Sequence, residues 1–285
     1  MMKELHEQGK SIEEIKEVLR RVPIHPRIIP AIEKAHALGC DLRILSDANM
    51  FFIETIIEHL GIKHCFSEIN TNPSQVDEKG CLRISPFVDF RAGSHGCPRC
   101  PPNMCKGMVI EKMQASIAKE GSKRMIYLGD GAGDFCPSLK LRETDFMMPR
   151  KDFPVWELIC ENLEVLRAEV HEWANGEDME IILLQLIEKT KIEENNSFNS
   201  VQMLSVDCKL ETVIPMAAYE APSPFRTCVC KVELKNSLAF DTILIWNTIT
   251  VNWTNEIKQL DRIKGQTELQ SEIDMNAMIG PVTIF

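Results

Sequence analysis

Asp130 and Asp134 lie four positions apart in Arg124-Met-Ile-Tyr-Leu-Gly-Asp-Gly-Ala-Gly-Asp134, an apolar run that ends in a glycine turn. Runs of this kind suit strands buried in a parallel sheet, where ligands sit at the carboxyl ends of the strands. Hard oxygen donors on a glycine-permitted turn suit Mg²⁺, which takes one or two carboxylates and fills its shell with water and phosphate oxygens. An Asp-Gly surface turn without a ligand would give the same local text. Two further segments supply what such a metal would serve. Asp41-Leu-Arg-Ile-Leu-Ser46-Asp47-Ala-Asn49 is a second short apolar run, ending in a hydroxyl and small polar residues. Cys105-Lys106-Gly107 opens an amphipathic stretch between the two runs. A hydroxyl, an ammonium and a carboxylate pair, each at a strand end or helix start, describe a phosphate site. Ser46 and Asp47, with nearby backbone N–H groups, are the expected phosphate-binding positions. Lys106 would neutralise phosphoryl charge, and Asp130 would hold the metal.

The elements that must position these groups follow from period and punctuation. Asn49 can cap a helix whose apolar positions include Phe52, Ile53, Ile56, Ile57 and Leu60, with Gly61 as its stop. Residues 3–21 read as helical, and Ser11 with Glu14 makes a capping-box signature. A second helix runs from Pro26 to Gly39 and leads into a strand at Leu42–Leu45. Asp77-Glu-Lys-Gly80 reads as a hairpin turn inside a small antiparallel excursion that extends to about Asp89. After Lys106 come a helix, a strand at 124–128, a helix over 137–142, a short strand at 145–148 and a helix over 153–163. A strand near 166–170 and a helix over 178–189 complete the series. Strands alternating with helices predict an α/β fold with a doubly wound parallel sheet. From Glu193 the text turns linker-like.

Composition narrows the function classes. At 285 residues and 32.4 kDa, with 44% hydrophobic and 26% charged residues, the chain is long enough for one good core and a small second one. A formal charge of −10 argues against nucleic acid as a partner, because backbone binding needs clustered Lys and Arg. The first residues are charged and amphipathic, and no apolar run is long enough to span a membrane. Eleven scattered cysteines then predict free thiols in a reducing, cytoplasmic setting. Nothing in the sequence sets an oligomeric state. Cys97-Pro-Arg-Cys100 and Cys105 have a spacing open to zinc, with Cys81 or Cys136 able to complete a set. No second Cys-x-x-Cys pair accompanies them, so a Pro-rich loop with buried thiols is the plainer expectation.

The ordered set Ile-Leu-Ser46-Asp47, Lys106 and Gly129-Asp130-Gly-Ala-Gly-Asp134 resembles motifs II, III and IV of the haloacid dehalogenase superfamily. More narrowly, Cys100-Pro-Pro-Asn-Met-Cys-Lys106 and Tyr127-Leu-Gly-Asp-Gly-Ala-Gly-Asp-Phe-Cys-Pro-Ser138 look like the phosphoethanolamine/phosphocholine phosphatase group. Plant members of that group include thiamine phosphate phosphatase-like and pyrophosphatase-like proteins. The likeness runs from Met1 to about Lys189. It implies a Mg²⁺-dependent phosphatase for a small soluble phosphomonoester or pyrophosphate, with Lys106 and Asp134 as catalytic positions and Asp130 as metal ligand. The family works through an aspartyl-phosphate formed on motif I, Asp-x-Asp-x-Thr/Val. No Asp-x-Asp occurs in this sequence. The chain is therefore expected to be N-terminally truncated. Residues 1–25 would be the remnant of a helical cap, 26–190 the α/β core, 191–221 a linker, and 222–285 a divergent extension. The first strand, which carries motif I, would be missing, leaving a sheet edge open. The alternatives are an inactive remnant that binds phosphate or a partner, and a zinc-stabilised binding module.

Overall fold

The structure, a computed structural model, describes residues 2–89, 91, 93–120, 123–203 and 242–245. Its centre is a six-stranded, wholly parallel sheet in the order β2-β1-β8-β5-β6-β7. These strands are β1 (Asp41–Asn49), β2 (Phe66–Asn72), β5 (Met125–Gly129), β6 (Phe146–Pro149), β7 (Glu169–Val170) and β8 (Thr242–Ile245). Strand alternation sends successive side chains to opposite faces. Ile126, Leu128, Phe146 and Met148 meet one buried layer, and Met125, Tyr127 and Met147 the other. The first layer is closed by α3 (Ile28–Ala37), α4 (Met50–His59) and α8 (Gly176–Met203). The second is closed by α5 (Lys106–Glu120) and α7 (Pro154–Glu161). This is the expected doubly wound α/β architecture.

The N-terminal helices follow their local chemistry. Residues 3–21 form two helices rather than one, α1 (Met2–Glu7) and α2 (Ile12–Arg20), divided at Gly9 with φ +77°. The capping box forms: Ser11 Oγ accepts from Glu14 N at 3.2 Å, and Ser11 N donates to Glu14 Oε2 at 2.9 Å. Ile15 and Leu19 of α2 pack on Phe52 and Ile56 of α4, beside Leu82 of β4 (Leu82–Ile84). Strand β4 pairs antiparallel with β3 (Ser74–Val76) across the Asp77–Gly80 turn. The Asp77 carboxylate closes that turn by accepting from Lys79 N and Cys81 N.

Four further expectations change. The antiparallel excursion is limited to β3 and β4, because β2 joins the main sheet as a parallel edge strand. The helix over 137–142 lies earlier, as a 3-10 turn at Ala132–Asp134 followed by α6 (Phe135–Ser138). Helix α8 continues past Glu193 to Met203, through the text expected to be a linker. Asn and Ser cost only a few tenths of a kcal/mol each against better helix formers, and a nucleated helix propagates. Finally, the slot between β1 and β5 is filled by β8. Pairing on both sides leaves neither β1 nor β5 with an open inner edge over the paired residues. The rest of the 204–285 segment lies outside the described residues. Among the described residues no helix is long and apolar enough to cross a membrane.

Candidate functional site

Two registers fix the geometry at the carboxyl end of the sheet. Leu42 and Ile126 are both level with Ile243 of β8, and Arg43 and Tyr127 with Leu244. Ser46 lies two residues past Ile44, the last β1 residue paired with β8, and Asp130 directly follows β5, so both stand at the carboxyl end of the sheet on either side of β8. Ser46 and Asp130 are both buried. The Ser46 hydroxyl oxygen accepts from Ala48 N at 3.1 Å, which leaves its O–H proton available to donate.

Asn72, at the end of β2, holds this corner of the chain. Its Nδ2 donates to the carbonyls of Asp47 at 2.7 Å and Ala48 at 2.8 Å. Its Oδ1 accepts from Phe87 N and Asn103 Nδ2. Asn49 then caps α4 by accepting from Phe52 N, as its position in the sequence predicts.

Lys106 opens α5 with its side chain buried. Its Nζ lies 3.0 Å from Asp47 Oδ2 and 3.1 Å from Asp134 Oδ1. Asp134 is completely buried and accepts four hydrogen bonds. Lys106 Nζ and Tyr127 Oη donate to Oδ1, and the backbone amides of Asp130 and Gly131 donate to Oδ2. Burial pushes the Asp134 carboxyl up from its ordinary value, against the pull of Lys106, Tyr127 and Gly131. Burial also pushes the Tyr127 phenol well above its ordinary value, and the Asp134 carboxylate beside it adds to this. Gly129 permits the arrangement: a Cβ there would lie 2.7 Å from Asp134 Cβ and 2.9 Å from its Cγ.

The donor set can therefore be tested against a divalent cation. Lys106 meets two carboxylates, and buried Asp130 supplies a third at the same end of the sheet. One ammonium against three carboxylates leaves negative charge in excess. Hard carboxylate oxygens beside a hydroxyl fit Mg²⁺ with a phosphoryl oxygen. Arg150, just beyond β6, adds a cation whose charge reaches Asp130. Its guanidinium lies 3.9 Å from the Phe153 ring centroid and 5.2 Å from that of Trp173.

All five predicted positions thus sit at one end of the sheet, and Lys106 joins Asp47 to Asp134 directly. Sequence reasoning missed Asn72, Tyr127 and Arg150. Tyr127 was legible in principle, since it is the one polar-tipped residue in the apolar β5 run and faces the Asp134 side.

The sequence profile of the family described as Putative Phosphatase matches residues 1–187. An Arabidopsis thaliana protein named inorganic pyrophosphatase 2 is 60% identical over 78% of this chain and 80% of its own length. A second Arabidopsis protein, named thiamine phosphate phosphatase-like, is 50% identical over 69% of the chain and 80% of its own length. The human phosphoethanolamine/phosphocholine phosphatase is 32% identical over 66% of the chain and 71% of its own length.

Proposed function

The chain belongs to the Putative Phosphatase family, an enzyme family of the haloacid dehalogenase type, and on that premise we propose that its site binds a small phosphorylated substrate with Mg²⁺, inorganic pyrophosphate before any phosphomonoester. One observation supports this above the others. Lys106 bridges Asp47 and Asp134 at the sheet end that also carries Ser46 and Asp130. Pyrophosphate is favoured because the relatives at 60% identity carry the name inorganic pyrophosphatase. Arg150 also suits a second phosphoryl group better than it suits the cationic head of phosphocholine.

Each side chain then has a stated task. The Ser46 hydroxyl and the amides around Asp47 donate to phosphoryl oxygens. Lys106 offsets phosphoryl charge as a buried, fixed ammonium, and Asp134 with Tyr127 holds that ammonium in place. Asp130, with Asp47 nearby, is the carboxylate that would hold Mg²⁺. The ion, when bound, neutralises and orients the phosphoryl group. By resemblance, the hydrolytic step uses an Asp-x-Asp pair that these 285 residues do not contain. Losing a covalent nucleophile removes orders of magnitude from the rate. The 285-residue chain alone is therefore expected to bind phosphate with Mg²⁺ and to turn over little or nothing.

Calorimetric titration with inorganic phosphate, with and without Mg²⁺, tests the binding claim, and a phosphate-release assay on pyrophosphate tests the catalytic one. The expected result is Mg²⁺-dependent binding that disappears in Asp130→Ala, without turnover. Turnover that disappears in Asp130→Ala would overturn the stated need for the acid pair. No phosphate binding by the folded chain would overturn the whole reading.

A further inference from the structure

We propose that Cys97, Cys100, Cys105 and Cys136 bind one Zn²⁺ as a closed tetrathiolate, a structural metal separate from the phosphate site. Their four Sγ atoms all lie within 4.8 Å of one another. The Cys97–Cys136 separation is 3.6 Å and the Cys105–Cys136 separation is 3.9 Å. A tetrahedral zinc with Zn–S bonds of about 2.3 Å sets its sulfurs about 3.8 Å apart. These two separations bracket that edge, and the other four stay within 4.8 Å. A disulfide bond is about 2.05 Å, so neither pair is bonded, and all four residues are free thiols. A four-iron cluster holds its cysteine sulfurs at the corners of a larger polyhedron than a 4.8 Å limit allows.

The sequence offers three of these ligands, Cys97, Cys100 and Cys105, and leaves the fourth open between Cys81 and Cys136. Cys97-Pro-Arg-Cys100 is a two-residue-spaced pair on a tight loop, entered through Gly96 at φ +74°. The fold selects Cys136: it lies in α6, 31 residues beyond Cys105, which precedes α5, and joins the cluster where Cys81 does not. The two half-buried sulfurs of the loop thus face two buried ones from the helices. Separation along the chain does not limit which sulfurs the fold brings together.

The surroundings suit a tetrathiolate, which carries excess negative charge around its dication. The cluster lies at the amino end of the 15-residue helix α5, whose positive dipole end favours thiolate charge, and Met108 N donates to the Cys105 carbonyl at 3.2 Å, which fixes the backbone beside that sulfur. Gly107 also makes room: a Cβ there would lie 2.8 Å from Cys136 Sγ. Lys140 stands close by, with Cγ 3.2 Å from that same position. Zinc binding releases the thiol protons to solvent and requires no oxidant or reductant.

The position gives the metal a purpose. Cys105 immediately precedes Lys106, and Cys136 follows Asp134 by two residues. A zinc at this point ties the start of the Lys106 helix to the turn that carries Asp134, two segments joined otherwise by the Lys106–Asp134 pair. It therefore fixes the ammonium without touching substrate.

The test is elemental analysis of the 285-residue chain purified without added metal, followed by cobalt substitution. One zinc per chain is expected, and cobalt should give a thiolate charge-transfer band with tetrahedral d–d bands. Cys136→Ser should reduce the zinc content to near zero, while Cys160→Ser, an exposed thiol outside the cluster, should retain it. If Cys136→Ser fails to fold, Cys97→Ser on the half-exposed loop and the wild-type cobalt spectrum decide. A folded chain with neither zinc nor the cobalt band overturns the proposal. So does iron in place of zinc, or an intact mass showing a disulfide among these four residues. None of these readouts depends on phosphate binding, so the phosphate-site reading stands or falls separately.

Discussion

Replacing Lys106 with Met removes one charge from a buried position while keeping much of the side-chain volume. The ammonium sits 3.0 Å from Asp47 and 3.1 Å from Asp134. At an effective dielectric of about 20, each contact represents roughly 5 kcal/mol of gross attraction, much of it offset by desolvating the ions. Breaking a buried pair typically costs about 3–5 kcal/mol. Two features place this case at the low end. Asp134 keeps three other donors, and the Asp47 side chain is 38% exposed and can turn to water. Lys106→Met should therefore destabilise the chain by about 3 kcal/mol in urea titrations. For a domain of this size that is a melting shift of roughly 6–12 °C. Phosphate affinity should fall at least tenfold in calorimetry, since a bidentate or charge-assisted contact of this kind contributes more than about 1.4 kcal/mol. Lys106→Arg keeps the charge but not the point geometry, and should fall between the two. A destabilisation below about 1 kcal/mol together with unchanged phosphate affinity would refute the role given to Lys106.

Gly129→Ala drives a methyl into Asp134 at 2.7 Å, and should cost about 1–3 kcal/mol in thermal unfolding while weakening phosphate binding. An unchanged melting temperature would show that the turn yields freely. Tyr127, with its phenol pushed well above the ordinary value, should stay protonated when free tyrosine ionises. Spectrophotometric titration should then show at most one of the chain's two tyrosines ionising before unfolding. The sign follows: the stability from this group is complete below the unfolded pKa near 10 and is lost as pH rises towards the folded value. Asp145 is fully buried and accepts from Met125 N, Gln114 Nε2 and three nitrogens of Arg142. Asp145→Ala should cost about 2–3 kcal/mol by orphaning Met125 N, and a change below about 0.5 kcal/mol in urea unfolding would contradict this.

Local signals in the sequence were strong where one short segment fixed its own structure. The apolar runs before Ser46 and Asp130 became central parallel strands because each is buried on both faces. Ser11 and Asn49 became caps because their side chains need only reach three residues ahead. Long-range placement was less legible. Phe66-Ser-Glu-Ile-Asn-Thr-Asn72 mixes polar and apolar residues as an edge strand does, and its parallel pairing with β1 is set by the α4 crossover. The turn after Asp130 winds earlier than expected because the Asp134 carboxylate folds back onto two amides. Cys136 reaches Cys97 and Cys105 only through the sheet, which no spacing rule anticipates.

The central claim is that Ser46, Lys106 and Asp130 face one bound anion, and a crystal of the chain soaked in Mg²⁺ and tungstate tests it most directly. Anomalous density is expected within hydrogen-bond reach of both Ser46 Oγ and Lys106 Nζ, with Asp130 turned towards the ion. Tungstate bound elsewhere, out of hydrogen-bond reach of Ser46 Oγ and Lys106 Nζ, would contradict the account.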